Sequence, residues 1–302
     1  MSRWIALAVA VLVGSAAGCG GQAATPDGVP QPGAGFPVEV AGATIAAPPE
    51  RIVSASASHT EILFAIGAGD SVVATDLFSN YPSQAEETEK IDAFNLSVEA
   101  VAALDPDLVI LAFDPGGAVD ALSGLGIPTL LFDPPVTLSD VFAQITTLGT
   151  ATGRSDEAGS LAAEMEGEIE RIAASREGGA AFTYYHELDP TLFSVASGTF
   201  IGSLYGLLGL ESIVGPGDAD ALGYAQLTAE FVLDADPDFV FLADTRCCGE
   251  SAATVAARPG WDALSAVRED RVVELDDDVA SRWGPRLVDF LAFVAEAVGG
   301  SS

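Results

Sequence analysis

The stretch Val98-Glu99-Ala100-Val101-Ala102-Ala103-Leu104-Asp105-Pro106-Asp107-Leu108-Val109-Ile110-Leu111-Ala112 occurs twice in the chain. Its second copy runs from Ala229 to Ala243, an offset of 131 residues (98 to 229), and eight of the fifteen positions are identical. Each copy reads as an acidic helix start, an Asp-Pro-Asp turn and a buried strand. Proline ends the helix because it excludes the α region for the residue before it, and aspartate suits the turn. Two copies so far apart predict two similarly built lobes. A solenoid would need many short repeats.

Outward from the first copy, short apolar runs alternate with helical segments, the pattern of an α/β fold with largely parallel sheets flanked by helices. The predicted strands of the first lobe are 51–54, 71–75, 108–112 and 128–132, with helices over 60–66, 98–104 and 119–125. Around the second copy the alternation predicts strands at 181–185, 239–243 and 272–275, and helices at 200–208, 230–234 and 286–298. Between the lobes, Leu161, Met165, Ile169 and Ile172 form one apolar stripe with the glutamates mostly off it. That stripe predicts a helix of about 20 residues, roughly 30 Å long, with Ser155 as its N-cap and an end before Gly178-Gly179. Such a helix is long enough to join two lobes. The resulting division is a first lobe over 36–153, a bridging helix over 154–177 and a second lobe over 178–302.

The N-terminus reads as an export signal over residues 1–18. Arg3 precedes the apolar run Trp4 to Val13, which is too short to span a bilayer, and small residues then lead to Cys19. Ser15-Ala16-Ala17-Gly18-Cys19-Gly20 resembles a bacterial lipobox, which would make Cys19 the lipidated mature N-terminus. Residues 19–35 would then be a Gly/Pro/Ala/Gln tether holding the protein at the outer face of the cytoplasmic membrane or in the periplasm. The alternative is ordinary cleavage after a small residue, leaving a free secreted protein. With 44 acidic against 12 basic residues, net charge -32, the surface repels phosphate backbones and argues against nucleic acid as a partner. No Gly-x-Ser-x-Gly elbow, His-Glu-x-x-His or Gly-x-Gly-x-x-Gly fingerprint occurs, which argues against an enzyme.

Nearly all of the chain from Pro49 to Val298 resembles the binding proteins of ABC importers for iron-siderophores, haem and cobalamin, whose two α/β lobes are bridged by one helix. The likeness rests on Pro49-Glu50-Arg51-Ile52-Val53-Ser54, His59-Thr60-Glu61-Ile62-Leu63, Asn80-Tyr81-Pro82, both Asp-Pro-Asp strands, Leu125-Gly126-Ile127-Pro128 and Gly284-Pro285-Arg286. It is nearest to the cobalamin-binding branch. The resemblance implies a monomer without a cofactor of its own, capturing a metal chelate between its lobes for a membrane permease and its ATPase. The expected solute is a cobalt corrinoid. A ferric hydroxamate-type siderophore or haem is the alternative, and a ligand-sensing lipoprotein without transport is a further one. The resemblance also makes Glu99 and Glu230 permease-docking residues, one per lobe. Each glutamate equally suits the first turn of its helix after Ser97 or Thr228, where the helix dipole favours negative charge.

Ligands of open α/β sheets sit beyond the carboxyl ends of the strands. This rule singles out Phe78, Tyr81, Phe113, Tyr185, Arg246, Arg282 and Trp283, together with Phe94 and Tyr224 in the loops before the two repeats. The resemblance places Tyr81, Phe94, Phe113 and Tyr224 along the cleft and Arg282 against the ligand. Haem propionates and catecholates would need several cleft cations, but the chain has one lysine, Lys90, and only Arg246 and Arg282 near these loops. A neutral corrinoid, or a neutral to cationic hydroxamate chelate, fits better. His59 and His186 are the only histidines; such residues cap or pack more often than they ligate iron or cobalt, and no side-chain metal site is expected. Adjacent Cys247 and Cys248 can form a vicinal disulfide, a soft-metal site or two free thiols.

Overall fold

The computed structural model describes residues 35–300. The expected export signal, Cys19 and nearly all of the tether lie outside the described residues. A small antiparallel hairpin comes first, β1 (Val38–Val40) and β2 (Ala43–Ile45). The first lobe follows as β3 (Ile52–Ala55), α1 (Ala57–Ala65), β4 (Val72–Asp76), α2 (Ser83–Glu86), β5 (Glu89–Ile91), α3 (Val98–Ala103), β6 (Leu108–Leu111), α4 (Ala118–Gly124) and β7 (Thr129–Leu131). Its sheet runs β5-β4-β3-β6-β7 with every pair parallel.

Two long helices come next, α5 (Leu138–Thr152) and α6 (Ser155–Ala174). The second lobe contains β8 (Phe182–Glu187), β9 (Phe193–Val195), α7 (Phe200–Leu207), β10 (Leu210–Ser212), β11 (Tyr224–Gln226), α8 (Ala229–Ala235), β12 (Phe239–Leu242), α9 (Thr245–Cys248), α10 (Ala252–Ala256), α11 (Ser265–Arg268), β13 (Val272–Glu274), α12 (Asp277–Ser281) and α13 (Leu287–Gly299). Its main sheet is ordered β10-β8-β12-β13 and is wholly parallel, while β9 and β11 form a separate antiparallel pair. Among the described residues, no helix is long and apolar enough to cross a membrane.

The duplicated module is built the same way in both lobes. Ser97 and Thr228 cap α3 and α8, each side-chain oxygen accepting from a backbone N–H at 3.2 Å. Asp105 and Asp236 both adopt positive φ, 49° and 41°, a region that aspartate enters more readily than most side chains. The second aspartates reach sideways. Asp107 Oδ2 accepts from Glu50 N and Arg51 N, both at 2.9 Å, and Asp238 Oδ2 accepts from Thr183 N at 2.8 Å. Each carboxylate therefore fastens the start of the neighbouring strand, β3 or β8, beside its own β6 or β12. The motif ends a helix and sets a strand pair.

Gly153 (φ 71°) ends α5, and α6 begins two residues later. The N-cap of α6 is Arg154, so Ser155 is its first helical residue and not the expected cap. Ala158, Met165, Ile169 and Ile172 form its buried stripe, packed between α5 and α13. One apolar cluster runs through this layer from Ile52 and Leu108 in the first sheet to Tyr184 and Phe239 in the second. The other face of each sheet covers a separate core, around Val53 and Val109 in one lobe and Tyr185 and Val240 in the other.

After β13 the chain returns to the first lobe. Buried Glu61 on α1 accepts from Arg282 Nη1 (2.9 Å), Arg286 Nη2 (2.6 Å) and Arg286 Nε (3.0 Å). Asn80 Nδ2 donates to Asp278 at 2.7 Å, and Arg282 Nη2 donates to the carbonyl of Phe78 at 2.7 Å. Two guanidinium groups on one buried carboxylate satisfy a charge that would be costly if left alone.

Candidate functional site

Three strand ends of the first lobe present phenylalanines. After β4, Asp76 Oδ1 accepts from Phe78 N and Ser79 N, both at 2.7 Å, and this turn projects Phe78 outward. Burial raises the pKa of Asp76 against those hydrogen bonds and the charge of Arg282. After β5, Asp92 makes the same kind of turn under Phe94, with Phe94 N donating at 2.9 Å. Phe113 follows β6. The rings are 58, 65 and 38 % exposed for Phe78, Phe94 and Phe113, yet they touch one another: Phe94 lies edge-on to Phe78 at 6.0 Å and stacks on Phe113 at 5.2 Å. A contiguous exposed aromatic patch on a scaffold held by two aspartate turns, one buried at Asp76 and one exposed at Asp92, is a binding surface in form. Tyr81 is also exposed, with the Arg286 guanidinium 4.3 Å from its ring centroid.

An apolar recess lies between the lobes. Pro134 and Pro135 of the first lobe, Phe200 and Tyr224 of the second, and Trp283 of the returning segment line it. Trp283 Nε1 donates to Gln144 Oε1 at 3.0 Å. Gln144 Nε2 donates to the Asp133 carbonyl, so Oε1 is the acceptor and the His59 Nε2 at 3.0 Å must carry the proton. His59 Nδ1 then accepts from Ser56 Oγ at 2.8 Å. Burial holds the His59 pKa down at about 4, opposed by its bond to Gln144. Both ring nitrogens are in use, and His59 packs and orients Trp283 through Gln144.

Several expected contacts belong elsewhere. Strand β8 extends two residues past its predicted end at Tyr185, which is therefore interior to the strand, fully buried and edge-on to Trp261 at 6.0 Å. Tyr185 therefore cannot line a cleft. His186 faces the opposite core, with Nδ1 2.9 Å from Tyr205 Oη, and burial lowers its pKa to about 3. Arg282 borders the recess but is buried, and its guanidinium is taken up by Glu61, Asn80, Phe78 O and Asp278. It fastens the returning segment to the first lobe instead of reaching for a ligand. Arg246 is exposed on α9 and bonded to Asp276 and Asp278, both at 3.1 Å. Lys90 donates to Thr75 Oγ1, Ser79 O and Ala85 O. The arginines near the cleft are thus ion-paired, and Lys90 is engaged by neutral oxygens. Phe200, Pro134 and Pro135 were not anticipated: Phe200 looks like core in a helix, and nothing local marks the two prolines.

Cys247 and Cys248 are joined in a vicinal disulfide on the exposed face of α9. Beneath it sits a buried charge cluster. Arg258 holds Glu187 bidentately, at 2.6 and 2.5 Å, and Glu250 at 2.7 Å, while both oxygens of fully buried Asp244 lack a partner. Burial, then the charges of Glu187 and Glu250, raise the Asp244 pKa to about 7. Glu99 and Glu230 are exposed in the first turns of α3 and α8. Among the described residues, no three His, Cys, Asp or Glu side chains group to hold a metal ion.

The profile of the family described as "Periplasmic binding protein" matches residues 52–279. The uncharacterized ABC transporter substrate-binding lipoprotein YvrC of Bacillus subtilis (strain 168) is 30% identical, over 98% of this chain and 96% of that protein. Among solved structures, the periplasmic vitamin B12 binding protein BtuF of Vibrio cholerae is 26% identical with a TM-score of 0.72, covering 84% of this chain and 98% of that one. The periplasmic heme-binding protein BhuT, in complex with two hemes, is 25% identical with a TM-score of 0.73, covering 83% and 98%.

Proposed function

We propose, from the premise that the chain belongs to the periplasmic binding protein family and is the substrate-binding protein of an ABC transporter, that its solute is a corrinoid of the cobalamin type. The family is one of binding proteins and not of enzymes. The observation that carries the reading is the Phe78–Phe94–Phe113 patch beside an apolar recess whose neighbouring arginines, Arg246, Arg282 and Arg286, are already ion-paired. A large, mostly apolar and neutral solute gains from such a surface, because aromatic faces bury area without needing charge. Haem propionates would have to break existing ion pairs to find partners. The relative named for vitamin B12 supports the same choice.

In this reading Phe78, Tyr81, Phe94, Phe113, Tyr224 and Trp283 contact the ligand. Glu99 and Glu230 meet a permease, residues 154–177 bridge lobes over 36–153 and 178–302, and Cys19 carries a lipid anchor. Titration of the purified protein with cyanocobalamin, haemin and ferrioxamine B, followed by tryptophan fluorescence and calorimetry, tests the solute. Saturable one-to-one binding of cyanocobalamin, at least tenfold tighter than the other two, is the expected result. Tighter binding of haemin or ferrioxamine B overturns the corrinoid.

A further inference from the structure

The vicinal disulfide has no stabilising task that its position allows. A disulfide stabilises by closing a loop of chain in the unfolded state, to a degree that grows with loop length. Cys247 and Cys248 are sequence neighbours and close no loop. Both are exposed, so the bridge fills no core. Its surroundings nonetheless hold it rigidly. Asp277 accepts from Arg246 N at 3.0 Å and Cys247 N at 2.8 Å, the Asp244 carbonyl accepts from Cys248 N at 3.3 Å, and Gly249 closes the turn at φ 77°. The turn is fixed although its outer surface is free.

The duplication says where that surface stands. The offset that maps Ala112 onto Ala243 maps Phe113 onto Asp244, and Gly116-Gly117 onto Cys247-Cys248. The turn is therefore the second-lobe equivalent of the one that puts Phe113 into the aromatic patch, at the carboxyl edge of the matching strand. A second line of contacts agrees. Arg246 on the turn reaches Asp278 at 3.1 Å, and Asp278 accepts from Asn80 of the first lobe at 2.7 Å. Asn80 is two residues from Phe78, whose own carbonyl is held by Arg282. The bridge thus stands across from the first-lobe loop that carries Phe78 and Tyr81.

We propose that the Cys247–Cys248 bridge is a ligand-contact surface, a stiff, polarizable and uncharged plate on the second-lobe wall of the cleft. It packs against an apolar face of the bound solute, opposite the phenylalanines. This rests on the interlobe cleft being the binding site, but not on the solute being a corrinoid. Divalent sulfur makes close, favourable contacts with flat unsaturated surfaces, and a turn already held by Asp277 loses little freedom when the ligand arrives.

Full-length oxidised protein is compared with the double variant Cys247→Ser, Cys248→Ser. The variant is expected to melt within about 2 °C of the parent and to bind cyanocobalamin about tenfold more weakly. In the parent, saturating cyanocobalamin should slow reduction of the bridge by a water-soluble phosphine at least fivefold, with thiols counted by mass spectrometry. Should cyanocobalamin not bind, the corrinoid reading fails alone, and protection is read with whichever of haemin or ferrioxamine B does bind. Unchanged affinity with unprotected reduction places the turn outside the cleft and overturns the proposal. A fall in melting temperature of more than about 5 °C overturns it with any ligand or none, because the bridge would then be a staple of the fold.

Discussion

Asp244 is the residue whose surroundings most constrain its chemistry. Tyr185 and Glu187 on β8, Glu250 before α10, and Arg258 all face it, and the single guanidinium is already shared by two carboxylates. A buried carboxyl with no partner is cheapest as the neutral acid. In the folded protein its pKa is pushed up to about 7 from a usual 3.8. The stability it supports is therefore complete below about pH 4 and is lost as pH rises through about 7. Asp244→Asn mimics the protonated form. Its stability advantage over the parent in thermal denaturation should be larger at pH 8 than at pH 4 by roughly 2–4 kcal/mol; an advantage that is the same at both values would show that Asp244 ionises normally. His59 and His186 act with the opposite sign. Held near 4 and 3 by burial, they are neutral in the fold and withdraw stability as pH falls below their usual 6.5. Phe78, Phe94 and Phe113 were legible as exposed candidates because they follow strands in polar loops. Tyr185 was not, because its burial depends on two further strand residues and on which face of β8 it occupies.

At the scale of elements, the two Asp-Pro-Asp turns act as paired fasteners. Removing the side chain of Asp107 leaves Glu50 N and Arg51 N without their acceptor, and removing that of Asp238 does the same to Thr183 N. Asp107→Ala, at an exposed turn, should cost about 0.5–1.5 kcal/mol in urea denaturation, and Asp238→Ala, at a part-buried one, about 1–2 kcal/mol. The two losses should add within about 0.5 kcal/mol, because the sites share no partner. A loss below about 0.3 kcal/mol at either site would mean that water replaces the carboxylate freely. The duplicated helices and strands could be read in advance because each copy carries its own turn chemistry and apolar run. Helix α5 is not legible from its interior although Thr137 and Asp140 form a capping box at its start, because Thr146, Thr147, Gly149, Thr150 and Thr152 carry low helix propensity and its helical state depends on packing against α6. The returning segment was invisible for a different reason. Glu61 lies 221 and 225 residues from Arg282 and Arg286, and no local pattern encodes such a meeting.

At the scale of the whole molecule, the lobes are joined by packing as well as by chain. A single apolar cluster crosses from one sheet to the other through α5, α6 and α13, and the Glu61 pairs fasten the far end of the second lobe to the first. In the proposed docking role, Glu99 and Glu230 present one carboxylate from each lobe, each mounted on a capped helix start. Replacing both by arginine should abolish transporter-dependent solute uptake in cells while leaving solute affinity of the purified protein unchanged. Uptake that persists would point to sensing without transport, or to a different docking face. The shared core also bears on how cargo leaves. A hinge of loose strands would let the lobes swing apart on thermal motion and surrender the solute spontaneously. Here opening must disturb a packed layer and a twice-paired carboxylate, so under the proposed function surrender of the solute would draw on work supplied by the transporter and not on thermal motion alone.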